Sequence, residues 1–316
     1  MTDIASGHLF QTSQWSEFQK ALGNEVINRQ GEGWHYLAII ESGSGPAGKH
    51  FKRLYTPYGP SFNNQQAFEQ ALLDLTGQAK NLNCDYIRIE PINLVGQQLD
   101  IKKTGFKKTK HNFQPTLTLI IDLQRPFDDI LKDMSKTNRY LWKKSSENHI
   151  TFATHYETDK LSEFLHMISA TSKRTSAAFK DGYYYQQLLN ALGPKKQAGI
   201  AYAAVNDEIL VGALFVDDIA AKTRYYLFAG SFDKARQYSA NSPLLTYLIH
   251  SAHSQDFKKF DLFGISPIED VNHRWAGLSK FKRSFGGQEV KYCGTYEKPI
   301  KPLKYHLMST VRRFAR

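Results

Sequence analysis

A chain of 316 residues is long for a single core and comfortable for two domains. Hydrophobic residues make up 41% of it and aromatic residues 13%, enough to fill two cores and to exclude a disordered body. The formal net charge of +11 raises the prospect of a polyanionic partner, RNA or an anionic membrane, without choosing between them.

Residues 1–7 carry neither a charged segment nor an apolar one, so no secretory leader is read there, and no stretch has the length of a membrane span. Cys84 and Cys293 are the only cysteines, with no disulfide framework and no metal-ligand spacing, so a reducing compartment is expected. A cytoplasmic protein follows as the expectation.

Alternation predicts a strand over 36–41, and Tyr55 to Pro60 reads as a strand end and turn. Asn63 or Asn64 can cap a helix whose stripe is Phe68, Leu72, Leu75, Ala79 and Leu82. Tyr86 to Glu90 alternates as a half-buried strand does, and Pro91 stops it. A further strand is expected over 116–123. Residues 125–149 read as one helix with Asp128 and Asp129 in its first turn and Lys143 and Lys144 near its end. Arg139, Lys143 and Lys144 share helical spacing there, as a polyanion-facing row or as a solvated face.

The second half repeats the grammar. Strands are expected over 201–205 and 209–216, joined by a hairpin turn at Asn206-Asp207-Glu208. Arg224 to Ser231 reads as a strand ending in a turn, followed by a helix with Ser242 as N-cap and Pro243 at its first position. Phe260 to Phe263 is the next strand. Strand, turn, helix, strand thus occurs twice, which predicts two α/β domains, each a mixed sheet with flanking helices. The domains are expected at 1–148 together with 298–316, and at 149–297.

Gly277 to Gly287 packs three cations, Lys280, Lys282 and Arg283, and two phenylalanines between glycines, a composition suited to an anionic ligand. Residues 302–316 form a basic helix with Leu303, Leu307, Val311 and Phe314 along one side; packing on the body is expected, with a membrane surface or RNA as alternatives.

No Gly-x-Ser-x-Gly, His-Glu-x-x-His, P-loop or Gly-x-Gly-x-x-Gly pattern is present. His250 and His253 are three apart on a helix without a third ligand in sight. An enzyme built this way needs neither a metal nor a covalent nucleophile. Acyl transfer from an activated ester or thioester to an amine fits, because the amine is its own nucleophile. Asp85, Glu90 and Asp261 lie beside strands, but none can be named as a base.

Five stretches resemble the Fem-type peptidyltransferases (FemABX family): His8 to Trp15, Tyr55 to Pro60, Thr116 to Leu123 with Met134 and Arg139, Tyr226 to Ser231, and Gly277 to Gly287. The last, similar to the family's Phe-Lys-x-x-Phe-Gly-Gly segment, is the most specific. The resemblance implies two tandem N-acetyltransferase-like (GNAT) domains. It implies a tRNA-dependent aminoacyltransferase that adds an amino acid to the stem-peptide amine of a peptidoglycan precursor, UDP-MurNAc-pentapeptide or lipid II, with no cofactor. By the same resemblance Phe281 and Lys282 lie at the reaction centre. Arg174 and Tyr226, with Tyr225 as the register alternative, meet the precursor, and Lys49, Lys52 and Arg53 are candidates for a further phosphate contact. Arg139, Lys143 and Lys144 become candidates for tRNA. Staphylococcal members insert a coiled-coil arm; here 150–174 leaves no room for one, as in the shorter members, whose tail packs back on the N-terminal domain. A monomer is expected, with peripheral contact to the inner membrane face left open.

Two other readings stand beside this one. A coenzyme A-dependent N-acyltransferase would use the pyrophosphate loop of the GNAT fold, but the matching stretch, Gln237 to Ser242, keeps only its first residue, and a Cβ at Ala240 and Ser242 crowds a pyrophosphate. A non-catalytic RNA- or membrane-binding protein would use the basic tail.

Overall fold

The structure, a computed structural model, describes residues 7–42, 50–92, 99–175 and 177–314. Lys49 lies outside them. The chain forms two compact units, 1–116 with 291–316, and 117–290.

In the first unit, α1 (Ser13–Ala21) precedes β1 (Glu25–Gly31), β2 (Trp34–Ser42), β3 (Lys52–Thr56) and the short β4 (Ser61–Phe62). Then come α2 (Gln65–Asn81), β5 (Tyr86–Ile89) and β6 (Lys107–Lys108). The sheet order is β1-β2-β3-β5-β14-β6, where β14 is Tyr296–Pro299 and β4 pairs with β2. β3 and β5 are parallel, and α2 makes the crossover between them. Asn64 caps α2, its side-chain oxygen accepting from the Ala67 amide at 2.9 Å. Phe68, Ala71, Leu72, Leu75 and Ala79 bury its inner stripe.

The second unit begins with β7 (Leu117–Asp122), α3 (Phe127–Asp133), α4 (Lys136–Lys144) and β8 (Ile150–His155). It continues with α5 (Leu161–Thr175), α6 (Gly182–Leu192), β9 (Ala198–Val205), β10 (Glu208–Asp218) and β11 (Thr223–Ser231). α7 (Asn241–Ser254), β12 (Lys259–Gly264), α8 (Ala276–Arg283) and β13 (Gln288–Lys291) complete it. The order is β13-β7-β12-β11-β10-β9-β8. The parallel pair is β11 and β12, joined by the α7 crossover, so the sequence duplication is a duplication of sheets. Asn206 and Asp207 turn the β9–β10 hairpin with φ of 50° and 65°, the left-handed pair that a tight two-residue turn demands.

The unit boundaries differ from the expected 148/149 and 297/298. β7 pairs antiparallel with β12, carrying residues 117–148 into the second unit, while β14 pairs antiparallel with β5, carrying 291–297 into the first. In each sheet the second strand of the parallel pair is flanked by a strand from a remote part of the chain, and local pattern does not show such partners.

Three local expectations also change. Residues 125–149 form two helices, because Ser135 restarts the chain, its hydroxyl accepting from the Asn138 amide at 3.2 Å. Ser242 is not the N-cap of α7 but lies inside it, donating to the Asn138 side chain at 2.7 Å. The tail helix α9 (Pro302–Phe314) does pack on the first unit, but through Tyr305 and Met308, not through Leu303 and Leu307. No coiled-coil arm occurs in the described part of 150–174: β8 leads into α5, and the longest helix among the described residues is the 17-residue α2.

Candidate active site

β11 and β12 hold parallel register at only three positions, Thr223↔Lys259, Arg224↔Phe260 and Tyr225↔Asp261, and then part. The backbone groups beyond Tyr225 on β11 and beyond Asp261 on β12 therefore have no ladder partner in each other, a geometry that can take an extended ligand segment. On its other edge β12 carries a bulge. Asp261 faces Ile120, yet Gly264 faces Thr118, so one extra residue is fitted in and Phe263 takes a φ of 60°. Asp261 holds this bulge: its Oδ1 accepts from the Phe263 amide at 2.7 Å and from the Thr118 hydroxyl.

The bulge presents the Gly264 carbonyl, and there Lys282 ends. Its Nζ donates to that oxygen at 2.8 Å, and the residue is only 5% exposed. An ammonium has three donors, and this bond uses one. Burial pushes the Lys282 ammonium down to about 8, against the attraction of Asp261, which holds it up. Burial pushes the Asp261 carboxyl up to about 6, opposed by its bonds to Thr118 and Phe263 and by the charges of Lys282 and Lys259.

The segment that delivers Lys282 is a helix followed by a glycine turn, rather than a loop wrapped round a ligand. The Ser266 amide donates to the Ser279 hydroxyl at 2.8 Å, tying the start of the connection to α8. Arg283 bonds the Ser266 carbonyl at 2.7 Å and pairs with Glu289 at 2.6 Å. Phe281 packs on the core and meets Phe285 edge-on at 5.1 Å. Gly286 and Gly287 have φ of 79° and 98°; a Cβ on Gly287 would stand 2.8 Å from the Ile120 carbonyl oxygen. Gly286 thus serves close packing on Asp133 at the end of α3 and Gly287 close packing on β7, and together they fix where α8 ends.

Arg174 sits in the last turn of α5. Its guanidinium bonds the Ser231 carbonyl at 3.3 Å, the Ser231 hydroxyl at 3.2 Å and Asp233 at 2.9 Å, so it lies at the outer end of β11. Tyr226 is buried in the core of the second unit, and burial alone raises its phenol well above the usual range. Tyr225 is also buried, on the opposite face by strand alternation. Among the described residues no hydrogen bond or ion pair joins Arg174 or Tyr226 to Lys282.

The other expected cations are already engaged. Lys52 donates to the Leu82 carbonyl at 3.1 Å, and Arg53 pairs with Glu41 at 2.7 Å and reaches the Tyr86 hydroxyl at 3.4 Å. Arg139 bonds the carbonyls of Lys132 and Met134, closing the end of α3. Lys144 pairs with Glu147, while Lys143 is exposed. Asp85 pairs with Lys301 and Lys304, and Glu90 accepts from Tyr55 and Thr295. His253 contacts the Arg125 carbonyl and His250 packs edge-on against Phe127, and no metal-binding cluster occurs among the described residues. No helix is long and apolar enough to cross a membrane among them.

The role of Thr118 has no signal in the sequence, since a strand threonine is ordinary. Its partner Asp261 is 143 residues away. The pair makes a testable statement about stability. Asp261 has an ordinary value of 3.8 and stands at about 6 in the folded chain, so between these values the native state binds more protons than the unfolded one. Stability contributed by this group therefore falls as pH rises from about 4 to about 6. Urea unfolding of Asp261→Asn at pH 4 and pH 7 should show that decline reduced relative to the parent chain; an unchanged difference would remove Asp261 as its source.

The FemAB family profile matches residues 97–209 and 202–313. The aminoacyltransferase FemA of Staphylococcus epidermidis is 20% identical over 359 aligned positions, covering 85% of each chain. The crystal structure of FemX superposes with a TM-score of 0.82 at 18% identity, covering 96% of this chain and 95% of that one. A tandem GNAT protein from the clavulanic acid biosynthesis pathway superposes with a TM-score of 0.52 at 12% identity, over 87% and 83% of the two chains. The fold is thus a tandem of GNAT-like units, and the chain, an enzyme of the acyltransferase class, belongs to the FemAB family.

Proposed function

We propose that this enzyme moves an aminoacyl group from aminoacyl-tRNA to the side-chain amine of the stem peptide in a peptidoglycan precursor, building an interpeptide bridge. The observation that carries the reading is the buried Lys282, placed on the Gly264 carbonyl beside the point where β11 and β12 part. A cation in a dry site acts strongly on developing charge.

In the reaction the amine nitrogen attacks the ester carbonyl carbon. The new C–N bond forms, the bond from carbon to the tRNA ribose oxygen breaks, and the amine proton ends on that leaving oxygen. Lys282 supplies positive charge to a precursor phosphate or, as the second choice, to the carbonyl oxygen as it becomes an oxyanion. Phe281 gives the site an apolar wall. Arg174 is proposed to grip acceptor phosphate. Its present partner Asp233 is largely exposed, so their pair is weak and a phosphate oxygen can take its place. Tyr226 is proposed to offer its hydroxyl to the precursor. Lys52 and Arg53 are secondary phosphate candidates, since both already have partners. Lys143, as the exposed member of its row, is the first of the three cations on α4 to test for tRNA.

The coenzyme A alternative loses ground on the backbone of 237–242. The amides of Ser239, Ala240 and Ser242 donate to the carbonyls of Arg236, Ala235 and Ser239, so they are engaged within the chain where a pyrophosphate would require them.

The test is label transfer. The protein is incubated with radiolabelled alanyl-, seryl- or glycyl-tRNA and a lysine-containing muropeptide precursor, soluble or lipid-linked. Transfer with at least one pair is expected, together with no heat of binding for acetyl-CoA at sub-millimolar concentration. No transfer with any pair would overturn the reading, and sub-millimolar binding of acetyl-CoA would favour the coenzyme A alternative.

A further inference from the structure

The tail helix α9 is held by one face and leaves the other apolar. On the inner face the Tyr305 hydroxyl donates to Glu297 at 2.6 Å, and its ring meets Tyr86 edge-on at 5.5 Å. Met308 is buried against Phe51 and Tyr86. Lys301 and Lys304 bracket Asp85 at 3.2 and 2.9 Å. On the outer face Leu303 is 89% exposed and Leu307 60% exposed. They stand one turn apart, and Val311 and Phe314 continue the same spacing in the sequence.

Exposed leucines at this spacing have a cost in water that a lone surface leucine does not, because together they form a stripe. In sequence the charge of the tail is one-sided, with Lys301 and Lys304 turned to Asp85. Residues 298–316 contain six cations, Lys298, Lys301, Lys304, Arg312, Arg313 and Arg316, and no acidic residue.

We propose that the outer face of α9 docks in the plane of an anionic lipid surface, with Leu303 and Leu307 entering the boundary between headgroups and acyl chains. An apolar stripe on a basic helix is the pattern of an interfacial helix, and its binding combines apolar burial with attraction to anionic headgroups. RNA would satisfy the cations but gives Leu303 and Leu307 nothing to bury against.

The docking does not depend on the transferase reading, but its consequence does. A lipid-linked acceptor would be met at the surface where the enzyme already sits.

The full-length chain is sedimented with vesicles of phosphatidylcholine containing about 30% phosphatidylglycerol, and with vesicles of phosphatidylcholine alone, in the absence of substrates. Binding to the anionic vesicles is expected, with at least tenfold weaker binding to the neutral ones. The double variant L303E/L307E should lose at least tenfold in affinity for the anionic vesicles while keeping the parent's circular dichroism and unfolding midpoint, since both side chains are outside the core. The single variant Leu307→Ser, a milder change, should show an intermediate loss. No binding to anionic vesicles, or binding that both variants retain, overturns the proposal. So does binding to a structured RNA that competes with vesicles and survives L303E/L307E. If label transfer is found, L303E/L307E should lower it for a vesicle-borne acceptor and leave it unchanged for a soluble nucleotide-linked one; equal loss on both would also count against the proposal. A chain that binds vesicles but transfers nothing would leave the docking standing and sink only the transferase reading.

Discussion

Lys282→Met lowers kcat/KM for aminoacyl transfer by about 100- to 1,000-fold, the loss expected when one charged donor is taken from a preorganised site. Methionine keeps the length of the stem and its packing, so the change falls on the charge. The parent enzyme should also lose activity above about pH 8, where the buried ammonium gives up its proton. Asp261→Asn removes the negative charge that helps Lys282 keep that proton, so the alkaline fall in activity moves to lower pH in this variant. A stability measurement gives the same sign from the other side. The folded chain releases the Lys282 proton near pH 8 and the unfolded chain near 10.5, so the unfolded state binds more protons in between. Stability contributed by this group therefore rises with pH across that window, and Lys282→Met should flatten the rise. Transfer rates from pH 6 to 9.5 for the three proteins decide the matter. A parent profile that stays flat through pH 9, or a Lys282→Met enzyme of normal activity, would rule out the role.

Arg224→Leu destabilises the second unit by about 3–5 kcal/mol, the usual cost of stranding one half of a buried ion pair. Arg224 and Asp217 lie opposite each other on β11 and β10 and meet through two bonds of 2.7 Å, both essentially out of solvent. The guanidinium also reaches Ser251 at 3.2 Å and Gln255 at 3.3 Å, and stacks over Phe215 at 4.1 Å. Burial raises the Asp217 carboxyl even with its partner in place. Without Arg224 that carboxylate is buried and uncompensated, so the damage should shrink in acid, where Asp217 takes up a proton. Urea unfolding at pH 7 and pH 5 tests this, with the double variant Arg224→Leu/Asp217→Leu expected to recover much of the loss. Equal stability of parent and single variant at pH 7 would show that the pair contributes nothing. The site is affected too, because Arg224 anchors β11 one residue before Tyr225 and two before Tyr226.

How much of this was legible varies with the range of the interaction involved. The doubled strand-turn-helix-strand pattern could be read because each piece is local: the Asn64 cap, the stripe from Phe68 to Ala79 and the alternation of Tyr86 to Glu90 depend on neighbours in sequence. The unit boundaries could not, because β7 and β14 find their partners far along the chain. The tail shows a subtler failure. Its spacing correctly marks a stripe of leucines, and an apolar stripe ordinarily faces the core. Here Tyr305 and Met308 have the pocket, together with two lysines held by Asp85, and the leucine stripe is left outside. The segment at 277–287 was recognisable by composition, but its helix was hidden by Gly277 and by the run of cations.

The sequence by itself determined the family, the basic character of the chain and the repeated order of its elements, since residue identity and short-range periodicity suffice for these. Only the tertiary structure decided which cation of Lys280, Lys282 and Arg283 is withdrawn from water. Lys280 is exposed, Arg283 turns to Glu289 and the Ser266 carbonyl, and Lys282 alone of the three ends on the Gly264 carbonyl. That choice depends on the rotation of α8, set where Gly287 packs on the backbone of β7, and on a bulge in β12 held by Thr118 from a strand 143 residues away. Burial, and with it the proton affinity of Lys282, comes from those long-range contacts, which no local pattern of residues encodes.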